Sequence, residues 1–243
     1  MNIAMTLLTY YYCKGNLTYA FTKLDIFIIV LILAGGLFIG QFVSMAISPA
    51  LMKKYETKKV YNLFSGLSAV AFVLLFVVYL IAPTDLSKIG FVVIDGILFF
   101  GTGMGFGGVS VCQSVMISDC IDYEEYHNGY RPDGIFFSGQ SFITKFSAGI
   151  SSIISGYVFD AVGYTDININ KMNEAIANGA NFATDYTSYS KAMWFLISIP
   201  PAIGMLLAVI PTLKYEIDKK SHDKMLEELV KRHKQNNQGD TNG

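Results

Sequence analysis

Five long apolar runs dictate most of what this chain can become. They cover residues 24–50, 60–82, 89–117, 134–162 and 192–213, each about long enough to carry a helix across a hydrocarbon core of roughly 30 Å. Inside lipid every backbone N–H and C=O must be satisfied within the protein, so runs of this length become helices. A sixth apolar stretch, residues 1–12, is too short to span. It has neither the basic n-region nor the small-residue cleavage site of a secretory signal peptide, and reads as the second half of a spanning helix. The expected fold class is therefore all-α integral membrane, with a transmembrane bundle over residues 1–213 and a tail over 214–243.

Charge supports this division. Only 15% of residues are charged, against 52% hydrophobic, and the net charge of −1 indicates no polyanionic partner such as nucleic acid. The surrounding partner is the lipid bilayer. Basic residues are retained on the cytoplasmic side of a membrane. One side collects Lys53, Lys54, Lys58, Lys59, Arg131, Lys214, Lys219, Lys220, Lys224, Lys231, Arg232 and Lys234, and the other only Lys14, Lys23, Lys88, Lys171 and Lys191. This imbalance places the tail in the cytoplasm of a multi-pass plasma-membrane protein. Tyr10, Tyr11, Tyr12, Tyr186, Tyr189 and Trp194 then fall at the outer interface, where aromatic belts form.

The tail spaces Ile217, Met225, Leu226, Leu229 and Val230 in a partly helical pattern and ends in polar, disorder-prone residues. It reads as an interfacial cytoplasmic helix. Cys13, Cys112 and Cys120 are scattered thiols without metal-ligand spacing, so neither a metal site nor a cofactor is expected from them.

Gly103, Gly105 and Gly108 match the G-x-G-x-x-G spacing, but they lie inside a hydrophobic run and not in the strand-turn-helix unit that a dinucleotide requires. The four-residue spacings Gly101/Gly105, Gly103/Gly107 and Gly36/Gly40 instead suit helix backbones that approach closely in lipid.

Lys145 breaks the apolar pattern of the 134–162 run. Advancing about 100° per residue, Gly134, Ser138, Ser141, Lys145, Gly149, Ser152 and Gly156 share one stripe, while Phe146, Ile150, Ile153, Ile154 and Tyr157 cluster opposite. The lysine is about 16 Å along the helix, near the bilayer midplane, at 1.5 Å per residue. A charge there faces a bundle interior or wet cavity and pairs with something. No carboxylate in the chain matches its depth: Asp160 is about 22 Å further along the same helix and Asp95 sits near the outer end of the preceding run. Its partner is expected in a segment outside this chain or in a ligand. No nucleophile with a base or ligand triad lies at common depth, so an intramembrane enzyme is the least favoured reading.

The connection before this run, "SDCIDYEEYHNGYRPDG", holds Asp119, Asp122, Glu124, Glu125, Arg131 and Asp133. These acids are expected to attract the Lys53, Lys54, Lys58 and Lys59 cluster and to hold inner helix ends together in one conformation.

The stretch "SDCIDYEEYHNGYRPDGIFFSGQSFITKFSAGISSIISGYVFDAVGY" resembles the segment joining the tenth and eleventh helices of the glycoside-pentoside-hexuronide:cation symporters, the melibiose-carrier-like branch of the major facilitator superfamily. The resemblance rests on Asp119, Asp122, Tyr123 and Glu125, on Arg131 and Gly134, on the run Phe137, Ser138, Gln140, Ser141 and Lys145, and on Gly163 with Tyr164. "SPALMKKYETKK" resembles the family's basic loop between helices eight and nine. It implies a six-helix C-terminal bundle of a major facilitator fold with its first helix truncated, and an N-terminal six-helix half as partner. The implied activity is sugar or glycoside transport coupled to Na⁺, H⁺ or Li⁺ by alternating access. Lys145 would sense or help hold the cation-site carboxylates of the other half, and Gln140, Ser141 and Thr144 would approach sugar hydroxyls. Asp119, Asp122, Tyr123, Glu125 and Arg131 would form a cytoplasmic gate. Ser110 stands where melibiose carriers place a Trp near the sugar, which leaves the identity of the sugar open. Transport of another solute and a non-transporting interaction subunit are the alternative readings.

Overall fold

The computed structural model describes residues 3–215 and 219–240. The chain begins with α1 (Ile3–Leu7), which continues directly into a π-helical turn over Leu8–Tyr12, followed by the short α2 (Tyr19–Thr22). Four long helices follow: α3 (Leu24–Lys54), α4 (Thr57–Ile81), α5 (Ile89–Asn128) and α6 (Asp133–Ala161). Then come α7 (Asp166–Ala177), α8 (Phe182–Asp185), α9 (Thr187–Leu207), α10 (Val209–Thr212) and the tail helix α11 (Lys219–Asp240). Among the described residues, α3, α4, α5, α6 and the stretch Thr187–Thr212 are long and apolar enough to cross a membrane.

Local chemistry sets the helix ends. Asp25 lies in the first turn of α3 and Lys53 and Lys54 in its last turn, each complementing the helix dipole. Gly129 ends α5 with φ +70°, a left-handed cap that lets its N–H reach the Glu125 carbonyl. Asp133 follows Pro132 into the first turn of α6. At 1.5 Å per residue α5 is about 60 Å long, twice a hydrocarbon core. The acidic stretch from Asp119 to Asn128, read from sequence as a connection, is thus a rigid helical extension carrying its carboxylates beyond the bundle.

Glycine makes α5 the central helix. A Cβ on Gly103 would overlap the Leu37 carbonyl oxygen, one on Gly107 that of Gln41, and one on Gly40 that of Phe100, so α3 and α5 touch backbone to backbone. On the other side, a Cβ on Gly105 would strike Ser68 and one on Gly108 the Phe64 ring of α4. Association in lipid depends on this intimate packing because burial from lipid supplies no hydrophobic drive.

α9 packs on α4 and delivers Trp194 to the core, where it is fully buried, stacked on Tyr79 at 5.6 Å and edge-on to Tyr11 at 6.1 Å. Tyr11, Tyr12 and Trp194 therefore do not form the lipid-facing belt expected from sequence. Edge-to-face and stacked ring contacts draw them inward instead. The polar segment after α6 folds over this end: Met172 of α7 and Phe182 of α8 join the same core, and Tyr10 donates to Asn173 at 2.8 Å.

α6 differs from the other long helices. It touches its own bundle only lightly, and Phe159, packed on Tyr164 at 5.0 Å, is its only buried residue. Its bulky stripe and its polar stripe are both uncovered.

Candidate functional site

Two places collect the functional candidates. The first is the end of α5. Arg131, in the turn after Gly129, donates from Nη1 to Asp122 Oδ1 and to Glu125 Oε2, both at 2.7 Å, and from Nε to Asp133 Oδ2 at 3.1 Å. The first two acids are three residues apart on one helix face, so a single guanidinium spans them. Both are buried. Its hydrogen bonds to Glu125 and Asp122 hold the guanidinium proton more firmly than usual. The Oδ2 atom of Asp119 accepts a hydrogen bond from the Tyr215 hydroxyl at 2.8 Å. Burial first, and then the adjoining Asp119 carboxylate, push the Tyr215 phenol well above its ordinary range.

Asp122 and Glu125 therefore meet on Arg131, while Asp119 adjoins them through Tyr215 and His222. Tyr123 does not join them: it is exposed and packs on His127, with ring centroids 4.2 Å apart. For Lys54, Lys58 and Lys59 the contacts among the described residues are with other groups than these acids. Lys58 and Lys59 approach Glu56 at 3.8 and 3.4 Å, Lys54 lies over the Tyr55 ring at 5.4 Å, and Lys53 lines the cavity that also includes Asp119. Glu56, next to those lysines in sequence, reaches them at no cost in chain closure, whereas Arg131 meets the acids of its own turn.

The tail also departs from expectation. α11 lies along the end of α5 and not free at an interface, with Met225 and Leu229 buried. His222 Nε2 sits 3.5 Å from Asp119 Oδ1 and 3.3 Å from Asp122 Oδ2. Sequence reasoning missed Tyr215 and His222, because nothing local in the tail indicates which acids it meets. The helix continues to Asp240 through the polar stretch read as disorder-prone; residues 241–243 of that stretch, and Ile217 of the tail's apolar pattern, lie outside the described residues.

The second place is α6. Gln140 and Thr144 line an open groove of about 390 Å³ with Gln113 and Ile117 of α5, and Thr144 donates to the Gln140 carbonyl at 2.8 Å. Ser141 and Lys145 are exposed beside it. Lys145 makes no ion pair among the described residues.

A buried acid stands apart from both. Asp95 of α5 is fully enclosed, and the Tyr12 phenol is its polar neighbour, yet neither group completes a hydrogen bond. Among the described residues no group of three or more His, Cys, Asp or Glu side chains is arranged to hold a metal ion.

A helical bundle with, among the described residues, five stretches of membrane length, glycine-mediated close contacts and a polar face along one helix defines a multi-pass membrane protein. The chain belongs to the MFS/sugar transport protein family, which matches residues 2–219. It is 34% identical over 135 residues to an isoprimeverose transporter of Lactiplantibacillus pentosus, a match covering 55% of this chain and 25% of that protein. It is 24% identical over 196 residues to a putative sulfoquinovose importer of Salmonella typhimurium, covering 81% and 36%. A lactose permease of Lactobacillus helveticus is 28% identical over 115 residues, covering 46% and 16%. In each case the match spans well under half of the relative's length. No solved structure gives a significant match.

Proposed function

We propose that this chain forms the C-terminal half of a cation-coupled sugar symporter that works by alternating access in the plasma membrane, with its tail in the cytoplasm, and that it performs no enzymatic chemistry. The observation that carries the reading is α6: a membrane-length helix whose polar stripe, with Lys145 at its middle, is left uncovered by a bundle that otherwise packs backbone to backbone. A buried charge at midplane is tolerated only against a partner or a wet cavity. An N-terminal six-helix half bearing carboxylates would supply both, closing a sugar site lined by Gln140, Ser141 and Thr144 with a coupling cation, Na⁺, H⁺ or Li⁺, nearby. Family membership and relatives described as sugar carriers support the solute class.

In this reading the Arg131 network, with Asp119, Asp122 and Glu125, is the cytoplasmic gate. The acids project on the rigid extension of α5, so their ion pairs move with that helix and convert its tilt into opening or closing.

The test is uptake of a labelled sugar panel into proteoliposomes containing this chain completed by its N-terminal half, under imposed Na⁺, H⁺ or Li⁺ gradients. Accumulation above equilibrium with one of these cations is the expected result. Equal uptake with and without every gradient would overturn coupling, and no uptake of any sugar would overturn the solute class.

A further inference from the structure

The groove of about 390 Å³ between α5 and α6 is polar at one end and apolar at the other. On α5 it is lined by Gln113 and Ile117, four residues apart and so on one face. On α6 it is lined by Phe136, Gln140 and Thr144, each four residues from the next. Arg131 reaches back to Asp122 and Glu125, so α6 starts alongside that part of α5 and runs the opposite way. Ile117, a little over one turn before Asp122, is then level with the first turns of α6, where Phe136 lies. Gln113, one turn deeper, is level with Gln140 and Thr144. Two carboxamides and a hydroxyl thus share the deep end, and an aromatic ring with an isoleucine the end beside the Arg131 turn.

The lining determines which solute fits. The Thr144 hydroxyl donates to the Gln140 carbonyl of its own helix, while among the described residues neither glutamine carboxamide has a hydrogen-bond partner. An unpartnered amide facing lipid is costly, but in a groove it can both donate to and accept from ligand hydroxyls. Among the described residues no charged side chain lines the groove, and Lys145 lies on the neighbouring stripe. A carboxylate or sulfonate taken here would lose water and gain no cation. Phe136 is half-buried, with part of its surface open to the groove. An aromatic face carries excess electron density, against which the C–H bonds of a pyranose pack. Ser110 offers a sugar no such face; Phe136 does.

We propose that this groove is a subsite for a neutral glycoside. Gln113 and Gln140 hydrogen-bond the hydroxyls of one ring, and Phe136 stacks against the second ring or aglycone, which makes Gln113 and Phe136 specificity-determining residues. The inference rests on the sugar-transport reading and adds to it the class of sugar and its direction in the site. Gly139 keeps the middle of the groove clear: a Cβ there meets nothing within 4 Å, so a side chain at this position fills ligand space without displacing protein.

The experiment measures binding by titration calorimetry to this chain completed by its N-terminal half. The probes are nitrophenyl glycosides of hexoses and pentoses, the matching free sugars, and nitrophenyl glucuronide. The best neutral glycoside is expected to bind more tightly than its free sugar and than the glucuronide, each by about tenfold or more. Gln113→Leu leaves a sugar hydroxyl unpaired and weakens glycoside and free sugar alike by about tenfold. Phe136→Leu weakens the glycoside by about three- to tenfold and leaves the free sugar unchanged. Gly139→Leu abolishes binding while the melting temperature stays at or above that of the parent. Parent-like binding in Gln113→Leu or Gly139→Leu, or a glucuronide that binds as tightly as the neutral glycoside, would overturn the subsite. Sugar binding itself persists in those outcomes, so the transport reading stands. A panel in which no compound binds would overturn that reading and the subsite with it.

Discussion

The guanidinium of Arg131 lies 2.7 Å from Asp122 Oδ1, fastening the turn before α6 to the end of α5. α6 has few other contacts with its own bundle, so this pair governs how its first turn is placed. Asp122 has only 11% of its side chain exposed and Glu125 only 8%, whereas Arg131 is 43% exposed. Removing the cation would strand two nearly enclosed carboxylates, the expensive half of the interaction.

Arg131→Gln is accordingly expected to destabilise this end of the protein by about 1 to 3 kcal/mol, the lower part of the range for a broken pair because the guanidinium is half in solvent. Labelling of a cysteine placed at exposed Ile135 reports it. Accessibility identical to that of the parent would show that the pair does not position α6.

The closeness of α3 and α5 predicts a contrast between two glycines. Gly103→Ala puts a Cβ onto the Leu37 carbonyl oxygen and should cost about 2 kcal/mol or more, with a lower melting temperature in detergent. Gly66→Ala, on α4, meets nothing within 4 Å and should be neutral or raise stability by up to about 1 kcal/mol through helix propensity.

Trp194→Ala empties the centre of the core formed with Tyr79 and Tyr11. A loss of about 3 kcal/mol or more is expected, read as reduced folded protein after heating. Trp194→Phe, which retains a ring for stacking, should recover part of it.

Lys145→Ala separates stability from function. The side chain is exposed and makes no ion pair among the described residues, so melting should change by no more than about 0.5 kcal/mol. In the completed transporter the same change is expected to abolish cation-driven accumulation. Retained uphill uptake would remove Lys145 from the coupling site.

Asp95→Asn tests the enclosed acid. The amide has nearly the same shape and no charge to desolvate, and no protein hydrogen bond is lost. Stability should match the parent within about 1 kcal/mol or exceed it. A collapse of folding would show that the carboxylate has a partner essential to the bundle.

The two acidic features differed in how readable they were. Asp122 and Glu125 lie three residues apart and Arg131 six beyond the second, so their meeting follows from helix geometry and one left-handed glycine. His222 is 100 residues from Asp122, and no periodicity in the tail designates that acid. Gly103 and Gly107 announced a close helix contact by spacing, but only their neighbours Leu37 and Gln41 reveal that α3 is the partner, with α4 assigned to Gly105 and Gly108. Trp194 and Tyr11 read as an interfacial belt because position along a helix gives depth; whether a ring turns outward or inward depends on the helix beside it.

The sequence by itself determined the membrane class, the number and placement of the long helices, and the residue types at the acidic end of α5 and on the polar stripe of α6. These follow from local rules: lipid demands helices of a set length, and residues a few positions apart share a face. Tertiary structure alone decided that α5 lies between α3 and α4, that the aromatic residues close the core, and that the tail folds back onto the end of α5. Those outcomes depend on which distant surfaces fit at van der Waals distance and which charges lie within a few ångströms, and no pattern along the chain encodes that choice of partner.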